Sequence, residues 1–265
     1  MSTGEEPWAL PPPQLVLEQG SLHIWRALLD LSAAVHTRIV RVLSANERKQ
    51  CERFLRPGDR ARCAAARASL RIVLAKYLPE DPRALSIAVE ASGKPFLDCS
   101  TGAGGGADPP MHHRAKGVQF NISHAGDLAL IAVSRGMRVG IDVERMREVR
   151  GMEAILNGFF SEREQEYLRS CEPEERTRTF FLLWTRREAA AKAVGRGLFD
   201  SFARFTLSPL DRDRSGFRVE LPPGIPTGGT ETWWMRDLIP APGFAGALCV
   251  EQENTVPSFW TLQNL

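Results

Sequence analysis

The sequence predicts an α+β protein of two pseudo-symmetric lobes, each a long helix packed on a small antiparallel sheet. Three observations lead there. Short apolar runs with alternating character read as strands, and they flank two long helical patterns. The order strand, short helix, long helix occurs twice, at an offset of about 115 residues. The early set is HIWR, ERKQCERFL and RARCAAARASLRIVLAKYL; the later set is IDVER, EREQEYL and RTRTFFLLWTRREAAAKAV. The 265-residue length is enough for two such lobes. Their boundary is expected at 136/137, giving an N-terminal lobe over 21–136 and a C-terminal lobe over 137–265.

Residues 1–20 contain Pro11, Pro12 and Pro13 and little periodicity, which predicts a flexible extended arm. Ser21–Asp30 begins as a strand. Ser44 or Asn46 caps a helix through about Phe54, Pro57-Gly58 breaks it, and Asp59 caps a longer helix to about Tyr77. That helix carries Arg67 and Arg71, four apart on one face, either a solvated basic face or an anion site. Leu85–Glu90 reads as a strand, followed by a turn with Lys94 and Pro95. The Gly-rich stretch 100–110 is expected to be a flexible surface insertion. Gly117–Ile122 is a strand leading into a turn that holds Ser123 and His124. Asp127–Ser134 and Met137–Glu144 are expected to form a hairpin around Arg135-Gly136.

In the second lobe, Met152–Phe159 reads as a short helix. Ser161 and Glu164 form a capping box, Pro173 suits a first helical position, and Gly195 and Gly197 end a long helix that fills Glu174–Val194. Phe202–Leu207, Phe217–Leu221, Glu231–Trp234 and Ala245–Glu251 read as antiparallel strands.

Composition removes some function classes. The net charge of +2 is too small for nucleic-acid binding by bulk attraction, although local patches remain open. There is no apolar run long enough to span a membrane and no secretory leader pattern at the start. The five cysteines form no CxxC pair, which reads as a reduced, cytoplasmic protein without a structural zinc site.

The chemistry concentrates in VGIDVER, residues 139–145. On a strand, Asp142 and Glu144 share one face, with Ile141 and Val143 on the other. Adjacent carboxylates repel, so one is protonated, solvated or bound to a cation, and oxygen ligands of this kind suit Mg²⁺. A solvated edge strand is the plain alternative. On the long helix, Trp184, Glu188 and Lys192 lie four apart on one face. As an exposed pair, Glu188 and Lys192 would contribute only about 0.2–0.5 kcal/mol. Near a buried aromatic stretch, however, their charge needs a purpose. A cation held by Asp142, Glu144 and Glu188, with Lys192 toward a bound phosphate, supplies one. Ser123, His124, Lys94 and the Arg67/Arg71 face could then hold phosphate oxygens.

Five motifs occur in order: Gly93-Lys94-Pro95, Phe120-Asn121-Ile122-Ser123-His124, Gly140-Ile141-Asp142-Val143-Glu144, Phe160-Ser161-Glu162-Arg163-Glu164, and Trp184-x-x-Arg187-Glu188-x-x-x-Lys192-x-x-Gly195. Over about residues 20–250 the chain resembles a phosphopantetheinyl transferase of the surfactin-synthetase type. The resemblance implies the two-lobed fold of that family, with coenzyme A as co-substrate bound between the lobes. It also implies transfer of 4′-phosphopantetheine to a serine of an acyl or peptidyl carrier protein, as in fatty acid, polyketide or nonribosomal peptide biosynthesis. Adenosine 3′,5′-bisphosphate leaves.

By the same resemblance, Asp142, Glu144 and Glu188 are Mg²⁺ ligands and Lys192 meets the transferring phosphate. Lys94, Pro95, Ser123, His124 and Arg67 hold the nucleotide. Glu188, or Glu164 through a water, is the base. A cytoplasmic monomer is expected, with neither nucleic acid nor membrane as partner. Two other readings are a catalytically silent carrier-binding module and a Mg²⁺-dependent phosphohydrolase. The family usually has Lys where this chain has Arg187, and it often has basic residues near Glu47, Gln50 and Gly58.

Overall fold

The computed structural model describes residues 6–90, 93–98, 117–195, 206–207, 209–210, 216–220, 232–253 and 255–263. The insertion expected at 100–110 lies outside the described residues, as does most of the strand expected at Phe202–Leu207. The architecture is α+β, and the chain divides into two compact units: Pro7–Gly136 with Pro257–Leu265, and Met137–Val256 with Met1–Glu6.

The first unit contains β1 (Leu22–Leu28), α1 (Ala33–Ile39), α2 (Ala45–Glu52), α3 (Pro57–Ala75), β2 (Ile87–Val89), β3 (Pro95–Leu97), β4 (Val118–Ala125) and β5 (Leu128–Arg135). Strand β10 (Ser258–Thr261) also belongs to it and lies parallel to β1, in the order β10-β1-β5-β4. The remaining neighbours in this sheet are antiparallel. Strands β2 and β3 form a separate hairpin.

Helix α2 starts where its sequence says it should. Ser44 Oγ accepts from Glu47 N at 3.2 Å, and Glu47 Oε2 accepts from Ser44 N at 2.8 Å, so two otherwise orphaned donors are satisfied. Helix α3 starts three residues earlier than expected, with Arg56 in the cap position expected for Asp59. Pro57 opens it, because a proline at the first helical position gives up an N–H that has no intrahelical partner there. Its apolar side (Ala65, Ala68, Leu70, Val73, Leu74) is buried in one core with Trp25, Ala27, Ile131 and Val133 of the sheet.

Three expectations for this unit are corrected. The hairpin is β4–β5, turning at Gly126 with φ 56°. Strand β5 is flanked by both β1 and β4, so no edge is left for the segment after Gly136. The described part of the expected arm is packed. Leu17 is buried, Ala9 bridges to Trp260, and Trp8 meets Phe259 edge-on at 5.1 Å. Finally, the cysteines are not all reduced. Cys51 on α2 and Cys63 on α3 are disulfide-bonded, with Cα atoms 5.6 Å apart. Their separation of 12 residues carried no pairing signal, because packing of α2 on α3 is what brings them together.

The second unit contains β6 (Val139–Arg145), α4 (Met152–Phe159), α5 (Glu162–Ser170), α6 (Pro173–Val194), β7 (Phe217–Glu220), β8 (Thr232–Leu238) and β9 (Phe244–Val250). Its sheet is antiparallel in the order β6-β9-β8-β7. Ser161 forms the predicted capping box with Glu164, Pro173 opens α6, and Gly195 closes it at φ 72°. Helix α6 packs on β6 at very close range. A Cβ on Gly140 would overlap the Ala189 carbonyl oxygen and the Ala193 amide, both backbone atoms. Glycine here sets how near the helix comes to the strand.

Candidate active site

Strand β6 presents Asp142 and Glu144 at alternate positions, as the pattern requires. Helix α6 presents Trp184, Glu188 and Lys192, all half-buried, at spacings of four. The structure brings these two sets together. Lys192 Nζ donates to Asp142 Oδ1 at 2.6 Å, and Asp142 is almost fully buried. The Trp184 side chain hydrogen-bonds to Glu144. An aromatic cluster fixes the helix at this level. Trp184 stacks on Phe180 at 6.0 Å, with Phe159 and Phe160 around it.

The electrostatics follow from crowding acids in a partly desolvated place. Burial raises the Glu188 carboxyl to about 7, Asp142 pushes the same way, Lys192 opposes, and Glu144 adds to the rise. Burial and then Asp142 also raise Glu144, while Arg147, Lys192 and the Trp184 hydrogen bond pull it down. The acids therefore repel each other across β6 and α6, and Lys192 is the cation set among them.

Among the described residues, no group of three or more His, Cys, Asp and Glu side chains is arranged to hold a metal ion. The donor chemistry nevertheless fits a hard divalent cation: three carboxylates and no nitrogen or sulfur donor, with two of the acids raised by burial and then by acidic neighbours. In the described arrangement, Lys192 sits on an oxygen of Asp142 that such an ion would use.

Glu164 is placed differently from the expectation. It is fully buried, and both of its oxygens are engaged. Oε2 accepts from Ser161 N and Ser161 Oγ, each at 2.9 Å, and pairs with Arg187; Oε1 accepts from Leu207 N at 3.4 Å. With its oxygens taken up in this way, its geometry is that of a cap and ion-pair partner. Arg187 is also fully buried and lies over Phe160 at 5.3 Å. Its neighbour Arg186 makes a second buried pair. Nε and Nη2 reach the two oxygens of Asp237 at 2.7 Å each. This fork was not foreseen, since 51 residues separate the partners.

Beside Glu144 opens a cavity of about 420 Å³ lined by Arg147, Arg150, Ile155, Phe180 and Trp184. Its lining combines apolar and aromatic side chains with two arginines and two carboxylates, Glu144 and Glu148.

The expected anion-holding residues lie in the first unit. Ser123 and His124 are inside β4, not in a turn, so their side chains point to opposite faces. Ser123 is buried and His124 is exposed. Lys94 precedes β3, which Pro95 begins, and both are half-buried. Arg67 is half-buried on α3. Arg71 is not available to a ligand. It is buried, pairs with Glu47 at 2.8 Å, and donates to the Pro82 and Leu85 carbonyls at 2.8 and 3.0 Å.

Comparison with known proteins adds a second kind of finding. A family model described as the 4′-phosphopantetheinyl transferase superfamily matches residues 138–231. One described as 4′-phosphopantetheinyl transferase, N-terminal, matches residues 31–136. The chain is 30% identical over 253 residues to the 4′-phosphopantetheinyl transferase HetI of Nostoc sp., covering 96% of this chain and 97% of that one. It is 33% identical over 197 residues to a 4′-phosphopantetheinyl transferase of Bacillus subtilis, covering 73% and 78%. It is 29% identical over 182 residues to the human L-aminoadipate-semialdehyde dehydrogenase-phosphopantetheinyl transferase, covering 66% and 56%. A β6–α6 site of paired acids and one lysine, within a chain matched by both family models and end to end by HetI, makes this protein an enzyme of the 4′-phosphopantetheinyl transferase superfamily.

Proposed function

We propose that this enzyme is of the surfactin-synthetase type. In this reading it is a cytoplasmic monomer that, in the presence of Mg²⁺, transfers 4′-phosphopantetheine from coenzyme A to a serine of an acyl or peptidyl carrier protein. The observation that carries the reading is the Asp142–Lys192 pair with Glu144 and Glu188 beside it. Asp142, Glu144 and Glu188 would hold Mg²⁺, which supplies charge neutralisation at the pyrophosphate when bound. Lys192 then turns from Asp142 to a phosphate oxygen, an exchange of one anion for another that leaves its charge satisfied.

Glu188 takes the proton of the carrier serine as its Oγ bonds to phosphorus and the bond to adenosine 3′,5′-bisphosphate breaks. Glu188 is half-buried beside Asp142 and Glu144, whereas both oxygens of the buried Glu164 are engaged by Ser161, Arg187 and Leu207. In the first unit, Lys94, Pro95, Ser123, His124 and Arg67 would hold the nucleotide end.

The test is incubation with coenzyme A, Mg²⁺ and apo carrier proteins, read by intact mass. The expected outcome is a gain of one phosphopantetheine on a carrier. No gain on fatty-acid, polyketide or peptide carriers would end this reading, and bisphosphate release without a carrier would point to a phosphohydrolase.

A further inference from the structure

Asp142 and Glu144 share a face of β6, but they are not held alike. Asp142 lies in the middle of the strand, almost fully buried, and accepts from Lys192 at 2.6 Å. Glu144 is the last residue but one of β6 and half-buried, and 146–149 beyond it have no regular structure. A glutamate also has one more rotatable bond than an aspartate, so it loses more freedom when an ion fixes it. Trp184 restrains it. An indole N–H can only donate, so in the hydrogen bond between these side chains Trp184 donates and the Glu144 carboxylate accepts. The two residues also line the same cavity.

Trp184 is itself firmly seated. Its ring stacks on Phe180, one helical turn earlier, at 6.0 Å and 12°. Phe159 meets it edge-on at 5.7 Å, and Phe160 lies against it at 6.2 Å. Phe160 is in turn covered by the Arg187 guanidinium at 5.3 Å, and Arg187 is locked in its buried pair with Glu164. A packed aromatic cluster and a buried ion pair therefore stand behind one N–H. A phenylalanine ring would serve the stacking as well as an indole. The N–H is the part of Trp184 that packing does not need.

We propose that Trp184 is the positioning residue of Glu144, its N–H restraining the carboxylate as a ligand for a divalent cation. This rests on the assignment of Asp142, Glu144 and Glu188 to Mg²⁺ in the proposed function. In this role Trp184 touches neither ion nor substrate and acts through Glu144. A ligand restrained before the ion arrives gives up less freedom on binding, so the ion is held more tightly.

The measurement is Mn²⁺ binding to the full chain without coenzyme A, read from the free-ion electron paramagnetic resonance signal. Trp184→Phe keeps a ring in the stack and removes the N–H. It should raise Kd for Mn²⁺ about tenfold, the low end of what removal of such a partner costs. In Glu144→Ala protein, with Asp142 and Glu188 still present, the same substitution should change Kd by less than about twofold. A role confined to packing would act equally in both backgrounds. In turnover, KM for Mg²⁺ should rise with Kd, while kcat at saturating Mg²⁺ should fall by less than KM rises. Without metal, the indole ¹⁵N–¹H resonance that Trp184→Phe removes should shift in Glu144→Ala.

Equal Mn²⁺ affinity for parent and Trp184→Phe, an equal loss in both backgrounds, or an unmoved indole resonance would overturn the proposal and leave the metal assignment standing. A parent that takes up no Mn²⁺ would overturn both. The affinities are read without turnover, so an enzyme that binds Mn²⁺ and modifies no carrier counts against the proposed function alone.

Discussion

Glu188 shows how burial and neighbouring charge act on one side chain. Its carboxyl is raised from 4.5 to about 7, so the folded protein holds a proton that the unfolded chain has lost. The contribution is therefore fully present below about pH 4.5 and is lost as pH rises through 7. Glu188→Gln keeps the neutral shape and removes the penalty. Without metal, this variant should exceed the parent in stability at pH 8 by about 1–2 kcal/mol, after allowance for solvent screening, and match it near pH 4. Chemical denaturation at the two pH values checks this, and an equal difference at both would contradict it. Glu164 is held in a buried ion pair with Arg187. Glu164→Gln strands the buried charge of Arg187, at a cost of about 3–5 kcal/mol. A thermal midpoint unchanged by that substitution, with turnover lost, would return Glu164 to the role of base.

At the level of elements, the contact between β6 and α6 carries the site. Gly140 lets the backbone of Ala189 and Ala193 approach, and the same approach brings Lys192 to Asp142. Gly140→Ala should push the two elements apart, cost about 1–3 kcal/mol, and lower kcat by more than it changes KM for coenzyme A. A variant that crystallises with the 2.6 Å Asp142–Lys192 contact intact and turns over normally would sever positioning from packing.

The local devices at this scale could be read from the chain. The capping boxes at Ser44 and Ser161, Pro173 at the head of α6 and Gly195 at its end depend on neighbours three or four residues away. The spacing of Trp184, Glu188 and Lys192 put those side chains on one face of α6 for the same reason. The register of β5 could not be read. It is buried along nearly its whole length, so it has no polar alternation to show which strands flank it.

Across the whole molecule, what stayed hidden depends on long-range pairing. Strand β10 lies against β1, with His23 opposite Ser258. Asp237 meets Arg186, and Arg71 is taken up by Glu47 and two carbonyls, so one residue of the supposed basic face is structural. No spacing rule reports such contacts, because the fold makes them. Among the described residues, no helix is long and apolar enough to cross a membrane.

The central claim is that the acids of β6 and α6, together with Lys192, perform phosphopantetheine transfer. Asp142→Asn keeps the shape of a buried side chain and removes the charge that Lys192 and a divalent cation both need. The most direct measurement is the mass of an apo carrier protein after incubation with coenzyme A and Mg²⁺, with parent enzyme and with Asp142→Asn side by side. The account predicts a gain of one phosphopantetheine with the parent and a rate at least about a hundredfold lower with the variant at an unchanged fold. Equal rates for the two enzymes, or no gain with the parent on any carrier class, would contradict it.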